Sequence, residues 1–382
     1  MAKQRRGRHE GGLYKRKSDG LWVGNVSLGQ DAEGKRIRKD VYGKTKKEAK
    51  EKMQQLQQDA MNGLPIKLEK VTVGQHFENW LRAKKGEVKK TTHASYSRIY
   101  SKHVKPQFGH LQLRDLCYMK INALYEQMDQ KDLSARTVNY VCFILRAGLE
   151  DAVKKGLIPN NQAKLAAGRK QEKKEARFLT QEEMKRLLRA CEGNRLGDAF
   201  ILALHTGLRP GELLGLSWGA VNLEGKRLIV RQALHEESGE LWLDDVKTHA
   251  GRRTISLSDA AIAALERQQQ RQLDEFLALP DRWKNENDLV VTNTEGGLLS
   301  RTDAGKRYFK PITEKANLIN VTMHTLRHTH ATALIYQGVD IKTISRRLGH
   351  EDVAFTLQVY GHLLPGQDDK AAVAMDEFCN GL

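Results

Sequence analysis

Cysteine is scarce in this chain, and its four cysteines lie far apart in the sequence. Cys117, Cys142, Cys191 and Cys379 form no C-x-x-C pair, so neither a zinc site nor a disulfide framework is predicted. No apolar run has the length of a membrane span, and the charged, glycine-rich start MAKQRRGRHEGG lacks the hydrophobic stretch of a signal peptide. These absences argue against a secreted or membrane protein and predict a cytoplasmic location.

Basic residues outnumber acidic ones. The 64 Lys and Arg against 47 Asp and Glu give a formal net charge of +17, which favours a polyanionic partner, most commonly a nucleic acid. The alternative is a basic surface that serves only solubility. Hydrophobic residues make up 40% of the chain, enough to bury real cores, and 382 residues predict two or three domains.

Residues 1–63 predict a three-stranded sheet followed by one helix. SDG and DAEGK supply the turns, and KTKKEAKEKMQQLQQDAMNG supplies the helix, with Thr45 as its N-cap. We expect one sheet face and the basic arm before it to bind DNA, and the residues expected to do so are Arg5, Arg6, Arg8, Lys15, Arg16, Arg36 and Arg38. The alternative is a solvated face whose cations protect the strand edges.

Residues 71–168 predict a four-helix bundle. Apolar residues recur there at three- and four-residue steps, with Thr92 and Ser134 as N-caps and Gly109 and Gly156 as stops. Cations crowd the start of this block and predict a surface for the DNA backbone, against the alternative of a solvated face. The residues expected to contact DNA are Lys84, Lys85, Lys89, Lys90 and Arg98.

The charge run GRKQEKKEAR, residues 168–177, predicts an extended linker, and a third domain is expected over 175–382. That domain opens with a capping box from Thr180 to Glu183. The further elements predicted are helices around 196–206 and 210–217, a β-hairpin or three-stranded sheet within 227–258, and a strand at DLVVTN, residues 288–293. The predicted fold class is therefore multidomain and mainly α with small β-sheets.

Two segments of the third domain carry cations at unusual places. In HTGLRPGELLGL, Arg209 directly precedes Pro210 at a helix start, where anions are favoured and cations are not. An arginine there indicates a bound anion, and the alternative is a surface pair with Glu212. In DDVKTHAG, Lys247 lies at the tip or edge of a hairpin and, taken alone, is a solvated turn residue.

TMHTLRHTHATAL holds three histidines and an arginine. His324 and Arg327, three positions apart, project together and suit a phosphate group. His324 and His328 have the spacing of a metal-binding pair, but the metalloprotease pattern needs Glu where Thr325 stands, so no metal is predicted. His328 and His330 are assigned to packing.

LGHEDVAFTLQVYGH, residues 348–362, contains a tyrosine that is either a packed ring or a nucleophile. With the preceding segments, in this order, it resembles the active-site set of the tyrosine recombinase (phage integrase) family. The set consists here of Arg209, Lys247, His324, Arg327, His350 and Tyr360. The resemblance is strongest over 178–365. Residues 71–168 are similar to the family's helical core-binding domain, and 1–63, more weakly, to the arm-binding domain of integrases from conjugative transposons and temperate phages.

The resemblance implies a site-specific DNA recombinase of a mobile element or prophage, working through a 3′-phosphotyrosine and a Holliday junction. Tyr360 would be the nucleophile. Arg209 and Arg327 would hold the nonbridging phosphate oxygens, and Lys247 would protonate the departing 5′-oxygen. Two alternatives stay open, a type IB topoisomerase-like enzyme that nicks and reseals one strand and a catalytically inactive DNA-binding regulator.

Other groups are expected to support this chemistry. A phenol with an ordinary pKa near 10 needs a base or cations to ionise, and His324 and His350 are expected beside it. Glu212 is expected to buttress the site without reacting. Tyr360 is expected to stay free, on a helix anchored by Phe355, Leu357 and Val359.

The same resemblance implies the partners. They are double-stranded DNA at core-type and arm-type sites, a directionality factor and a DNA-bending protein, with the enzyme a homotetramer on DNA in the bacterial nucleoid. The segment DDKAAVAMDEFCNGL predicts a short helix that would dock on a neighbouring protomer, and the alternative is that it packs on its own domain. No cofactor is expected, because the sequence has no GxxxxGK[ST] loop and no carboxylate cluster for two magnesium ions.

Overall fold

The computed structural model describes residues 12–30, 36–61, 71–171, 176–246, 250–363 and 368–380. The chain divides into two compact units, residues 1–172 and 173–382. Within the described ranges the fold is mainly helical with small antiparallel sheets, which confirms the predicted class.

The first unit begins with an antiparallel sheet of order β1-β2-β3 and a helix on one of its faces. These elements are β1 (Leu13–Lys15), β2 (Trp22–Gln30), β3 (Arg36–Gly43) and α1 (Lys46–Met61). A β-carbon at Gly24 would meet Met53 Sδ at 2.9 Å, so α1 packs directly against this row of the sheet. Thr45 caps α1 as predicted, because its hydroxyl accepts from the Glu48 N–H at 3.1 Å.

A four-helix arrangement fills the rest of the described first unit. Its helices are α2 (Val73–Glu87), α3 (Lys90–Ile99), α4 (Lys105–Phe108), α5 (Tyr118–Gln130) and α6 (Ala135–Lys154). A π-helical turn over Tyr100–Val104 joins α3 to α4, so these two form one continuous helix. Ser134 caps α6 as predicted. The predicted cap Thr92 is wrong, because α3 already begins at Lys90.

Close approach of α2 and α6 organises the core of this bundle. A β-carbon at Gly148 would clash with the Phe77 ring, so glycine is what allows the two helices to come this near. Phe77 also stacks on Tyr100, with ring centroids 5.5 Å apart. His76 Nε2 lies 2.8 Å from the Gly148 carbonyl and ties the two helices together.

The charge run after the bundle is held on it at its start. Arg169 Nε donates to the Asp129 carboxylate at 2.7 Å. The Asn139 side chain accepts from the Arg169 N–H at 2.7 Å and donates to its carbonyl at 2.8 Å. The segment expected to be extended from residue 168 is therefore fixed through Arg169, and 172–175 lie outside the described residues.

The second unit combines helices with two small sheets. Its described helices are α7 (Gln181–Cys191), α8 (Gly197–Thr206), α9 (Pro210–Leu214), α10 (Asp259–Ala278), α11 (Arg301–Asp303), α12 (Lys310–Lys315), α13 (Met323–Tyr336), α14 (Ile341–Leu348), α15 (Val353–Tyr360) and α16 (Asp368–Asn380). Its described strands are β4 (Val221–Asn222), β5 (Arg227–Val230), β6 (Gln232–Glu237), β7 (Glu240–Asp245) and β8 (Arg253–Ser256). They form a sheet of order β4-β5-β8 and a separate β6-β7 hairpin. The prediction of one hairpin or three-stranded sheet within 227–258 therefore located the strands but did not include β4.

Helix α8 is buried along most of its length and packs against α10 and α13. Thr180 caps α7 through the predicted capping box with Glu183. The strand predicted at DLVVTN is wrong. Leu289 forms only an isolated bridge with Ser217, and the Asn285 side chain holds the Leu289 N–H at 2.8 Å in an irregular buried segment.

Within the described ranges, no helix is both long and apolar enough to cross a membrane. The same ranges contain no cluster of three or more His, Cys, Asp or Glu side chains that could hold a metal ion. All four cysteines are free thiols, with Cys142 and Cys191 buried.

Candidate active site

The candidate site is built on the N-terminus of α9. Arg209 occupies the N-cap position, and its backbone N–H donates to Glu212 Oε2 at 2.9 Å. The Arg209 guanidinium donates to the other oxygen, Oε1, at 2.7 Å. Pro210 begins the helix, where a missing N–H removes no intrahelical hydrogen bond. Glu212, which is only 4% exposed, thus orients Arg209.

Glu212 also forms an ion pair with a second arginine, Arg253 of β8. Its Nη2 lies 2.8 Å from Glu212 Oε2 and its Nη1 lies 3.2 Å from Oε1, with both side chains buried. Burial opposes ionisation of the carboxyl, but the hydrogen bonds and charge of Arg253, with the charge of Arg209, lower the pKa of Glu212 to about 2. Arg253 Nε also donates to the Arg347 carbonyl at 2.6 Å and ties β8 to the end of α14.

Arg327 of α13 reaches the same region and is only 2% exposed. Its Nη1 donates to the Gly207 carbonyl at 2.7 Å and its Nη2 to the Leu348 carbonyl at 2.6 Å. Burial, and then repulsion by Arg209, lower the pKa of Arg327 to about 9. Arg209 Nη2 donates to the next carbonyl, that of Gly349, at 2.9 Å. The two arginines therefore converge on adjacent carbonyls of one turn.

Gly349 makes this turn possible with a φ of 69°, and a β-carbon there would meet Arg253 Nη1 at 2.7 Å. His350 follows, with its Nε2 2.9 Å from Arg327 Nη2. Because a guanidinium only donates, Nε2 is the acceptor, and Nδ1–H donates to Thr356 Oγ1 at 2.7 Å. Burial and the charge of Arg327 lower the pKa of His350 to about 3, so the imidazole is neutral.

A pocket of about 440 Å³ opens beside these groups. Arg209, Arg301 and His324 line it, together with Asp245 and Glu351. Burial and the charges of neighbouring arginines lower the pKa of His324, which favours its neutral form. Two guanidinium groups and an imidazole are donors that suit an anion of phosphate size.

Tyr360, the last residue of α15, is 2% exposed and is not among the described residues that line this pocket. The buried members of the apolar cluster around it are Ala331, Ile335, Ile344 and Leu348. Its Oη lies 2.7 Å from His328 Nδ1. Burial raises the pKa of Tyr360 to about 12, although the charge of Arg327 opposes this. The phenol is therefore neutral and enclosed in this conformation.

Comparison with known proteins identifies the family. Residues 177–366 match the Phage integrase family, and residues 72–128 match the phage integrase N-terminal SAM-like domain. A tyrosine recombinase XerC-like protein of Caldanaerobacter subterraneus is 30% identical over 92% of this chain and 95% of the relative. An integrase of Streptomyces ambofaciens is 31% identical over 98% of both chains. The chain belongs to the tyrosine recombinase (phage integrase) family.

The fold of this recombinase is that of solved integrases. The Tn1549 transposon integrase, in complex with a circular intermediate DNA, superposes with a TM-score of 0.67 at 22% identity, over 80% of this chain and 99% of that chain. A lambda integrase dimer bound to a COC′ core site superposes with a TM-score of 0.59 at 18% identity, over 93% and 96%. At these identities the likeness concerns the fold.

As a family member, this tyrosine recombinase is a DNA strand-transferring enzyme. Neither the topoisomerase-like alternative nor the inactive regulator is favoured, because the related proteins are recombinases and integrases. The chain therefore catalyses site-specific recombination.

Most of the residues predicted for catalysis lie close together. Those gathered around the turn and its pocket are Arg209, His324, Arg327 and His350. Tyr360 is enclosed beside His328, so the expectation that it stays free is wrong for this conformation. Lys247 lies outside the described residues, two positions after the end of β7 at Asp245.

The tyrosine helix α15 is anchored only in part as predicted. Of the expected anchors, Val359 is half-buried and packs against the apolar cluster around Tyr360, whereas Phe355 and Leu357 are 53% and 43% exposed. Thr356 and Tyr360 are the buried residues, one helical turn apart. Thr356 is polar but can be buried, because its hydroxyl is hydrogen-bonded to His350. The hydrophobicity of the residues alone does not reveal that bond.

Sequence reasoning missed two residues of the site, Arg253 and His328. Arg253 shares the buried row of β8 with Ile255, so strand alternation in RRTIS was a usable signal for it. The prediction that His328 only packs is wrong, because this histidine lies one turn after His324 and contacts Tyr360. His330 does pack as expected, with its Nδ1 on the Leu204 carbonyl at 2.9 Å.

The sheet face turned away from α1 is a candidate DNA interface. Arg38 and Tyr42 lie on it, because the alternate row, which contains Gly24 and Gly43, faces α1. Arg16 lies over the Tyr42 ring, with its Cζ 5.0 Å from the ring centroid. This face thus combines two guanidinium groups with an exposed aromatic ring.

Other cations predicted to bind DNA are placed differently. Lys15 pairs in register with Trp22, which pairs with Gly43, so Lys15 lies in the row that faces α1 and does not share the face of Arg38. The backbone of Arg36 belongs to β3, but its side chain is outside the described parts. The arm residues outside the described ranges are Arg5, Arg6 and Arg8.

The cations predicted on the bundle gather around α2 and α3. Lys84 and Lys85 lie in the last turn of α2, and the others follow as Lys89, Lys90 and Arg98. All except Lys84, which is half-buried and bonds to Glu87, are exposed.

Proposed function

We propose that this recombinase cleaves and rejoins DNA through a 3′-phosphotyrosine on Tyr360, with Arg209 and Arg327 acting on the scissile phosphate. The observation that carries the proposal is the convergence of these two arginines on the adjacent carbonyls of Leu348 and Gly349. Arg209, which is partly exposed, would contact a phosphate oxygen directly, and buried Arg327 would add positive charge from behind. Guanidinium groups suit both tasks because they stay charged and donate in planar forks.

In the proposed reaction one O–P bond forms for each P–O bond that breaks, and no cofactor takes part. The Tyr360 oxygen attacks phosphorus, the new O–P bond forms as the P–O5′ bond breaks, and the phenol proton passes to solvent water. We propose that Lys247 gives the departing 5′-oxygen its proton, and that His324 and His350 complete the site. Negative charge grows on the nonbridging oxygens in the transition state, where the two arginines stabilise it most. The 5′-hydroxyl of another strand then reverses the step, and two such rounds pass through a Holliday junction.

The proposed partner is double-stranded DNA of a mobile element or prophage. Residues 1–63 would bind arm-type sites through the face of Arg38, and 71–168 with 175–382 would bind core-type sites. A directionality factor and a DNA-bending protein belong to this proposal, as does action at the nucleoid in the cytoplasm. The exposed cations on α2, α3 and the sheet support the DNA-binding part of this proposal.

We propose that four copies assemble on DNA. Lambda integrase, with which this chain shares its fold at a TM-score of 0.55, has been solved as a tetramer bound to a Holliday junction. Helix α16 supports the proposal, because Val373, Met375 and Phe378 are exposed on it and would bury apolar surface against a second copy.

A suicide substrate tests the chemistry. A DNA duplex that carries the element's end, with a nick beside the cleavage position, should trap a covalent complex in EDTA. Binding without any covalent species, at every nick position across the protected DNA, would contradict the proposal. Transfer of the trapped strand to a second duplex separates recombination from simple nicking and resealing.

Arg209→Lys should slow cleavage about ten- to a hundredfold while changing DNA affinity less than threefold. One ammonium group cannot reach Glu212 Oε1, the Gly349 carbonyl and a phosphate oxygen together, as the guanidinium fork can. Single-turnover cleavage and gel-shift titration measure the two effects. An equal loss of both would mean that Arg209 only holds the DNA backbone. Arg267→Lys, a partly exposed arginine on α10 paired with Asp198, is the matched control.

Arg38→Gln should weaken binding to arm-type DNA and lower the slope of log affinity against log salt by roughly one unit, as expected for one lost phosphate contact. Lys15→Gln removes the same charge from the row that faces α1, so its slope should stay close to that of the wild type. Titrations at several salt concentrations measure both slopes. Equal slopes for the two variants would exclude this face as the interface.

A further inference from the structure

The contact between Tyr360 and His328 has no part in the proposed cleavage step. Their Oη and Nδ1 atoms are 2.7 Å apart, and the two rings lie against each other with centroids 5.7 Å apart. A neutral imidazole carries one N–H and one acceptor nitrogen, and a phenol can both donate and accept, so the two groups form one hydrogen bond whose direction follows the His328 tautomer. On its other side, the His328 ring contacts His324, with centroids 5.5 Å apart.

In this position the phenol is closed off from solvent and does not line the pocket. Tyr360 is only 2% exposed and lies in the apolar cluster of α13 and α14. Burial raises the pKa of Tyr360 to about 12, and burial, then the neighbouring His324, lower that of His328 to about 4. Proton transfer from the phenol to this imidazole is therefore strongly unfavourable. His328 therefore holds the phenol by a hydrogen bond and does not take its proton.

We propose that His328 is a positioning residue that stores Tyr360 in this enclosed place, and that strand cleavage requires their hydrogen bond to break as α15 moves toward the pocket. The inference rests on the proposed role of Tyr360 as nucleophile. Helix α15 is suited to such movement because Phe355 and Leu357 are largely exposed. Its buried residues are only Thr356 and Tyr360, with Val359 half-buried at the edge of the same apolar cluster.

Two substitutions of His328 test the storage role. His328→Leu keeps an apolar side chain against the tyrosine but removes the hydrogen-bonding nitrogen, whereas His328→Asn keeps an amide that can donate or accept close to the position of Nδ1. Hydrogen–deuterium exchange of the amides of 353–360, without DNA, reports opening of α15. Single-turnover trapping on the suicide substrate reports cleavage. Loss of one neutral hydrogen bond shifts an equilibrium roughly two- to tenfold, so His328→Leu should exchange and cleave faster by about that factor. His328→Asn should resemble the wild type.

The possible results separate storage from catalysis. Slower cleavage by His328→Leu would mean that the imidazole assists the attack, and unchanged exchange over 353–360 would overturn storage whatever the DNA assay gives. If the wild type itself forms no covalent complex, the role of Tyr360 as nucleophile fails, and the exchange measurement still judges the stored contact. Should His328→Leu not fold, Tyr360→Phe removes the same bond from the other side. Unchanged exchange in that variant would also refute the inference.

Discussion

Tyr360→Phe should abolish the covalent protein–DNA complex completely, with no signal above background on the suicide substrate. The substitution removes only the oxygen that forms the bond to phosphorus, and the ring keeps its place among Ile335, Ile344 and Leu348. The lost hydrogen bond to His328 should cost about 1 kcal/mol of folding free energy, too little to unfold the chain. DNA affinity should stay within about twofold of the wild type, because the buried hydroxyl faces an imidazole and not the pocket.

Tyr336→Phe is the matched control for this loss. Tyr336 is the last residue of α13 and is exposed, and its ring packs edge-on against that of Phe178. Removing its hydroxyl changes the same atom on a tyrosine with no proposed role, so covalent trapping should be unchanged. A covalent complex that persists in Tyr360→Phe would show that another residue is the nucleophile.

Much of the candidate site could be predicted because its residues occupy recognisable local positions. Arg209 precedes a proline at a helix start, and the Gly349–His350 turn follows the end of a helix. The mainly helical class and the small sheets followed from local periodicity and turn chemistry in the same way. Such signals lie within a few residues of each other and depend little on the rest of the fold.

The remainder depends on packing between distant segments, which a linear pattern does not encode. The bond of His328 with Tyr360 joins α13 to α15, and the pair of Glu212 with Arg253 joins α9 to β8. Leu289 was expected in a strand because the run DLVVTN is apolar and β-branched, yet the side-chain amide of Asn285 holds it in an irregular buried segment. Lys15 is likewise predicted on the DNA-binding face because the residues beside it are basic, but it lies on the opposite side of the sheet.

Glu212→Gln should destabilise the folded chain by about 3–5 kcal/mol, because it leaves Arg253 as a buried charge without a counterion. A glutamine amide also presents donors toward guanidinium groups that can only donate. Urea or thermal unfolding measures the loss. Glu182→Gln removes the same charge from an exposed pair with Lys185 and should cost less than about 1 kcal/mol. A loss from Glu212→Gln no larger than that of this control would show that the carboxylate does not hold the site together.

The stability lost in Glu212→Gln should depend on pH, because the Glu212 carboxylate ionises at a lower pH in the folded chain than in the unfolded one. The pKa of Glu212 falls from an ordinary value near 4.5 to about 2 on folding, so its stabilisation is complete above the unfolded value and disappears as pH falls toward the folded one. The difference in unfolding free energy between wild type and Glu212→Gln should be constant above about pH 5 and should shrink by roughly 3 kcal/mol by about pH 2. His330 is not affected by the charge of Glu212, so its protonation cancels in the difference. The Glu212 charge does raise the pKa of His324 and of His350, so their protonation adds to the pH dependence at the acid end. A difference that stays constant down to about pH 3 would mean that the ion pair with Arg253 does not depress the Glu212 pKa.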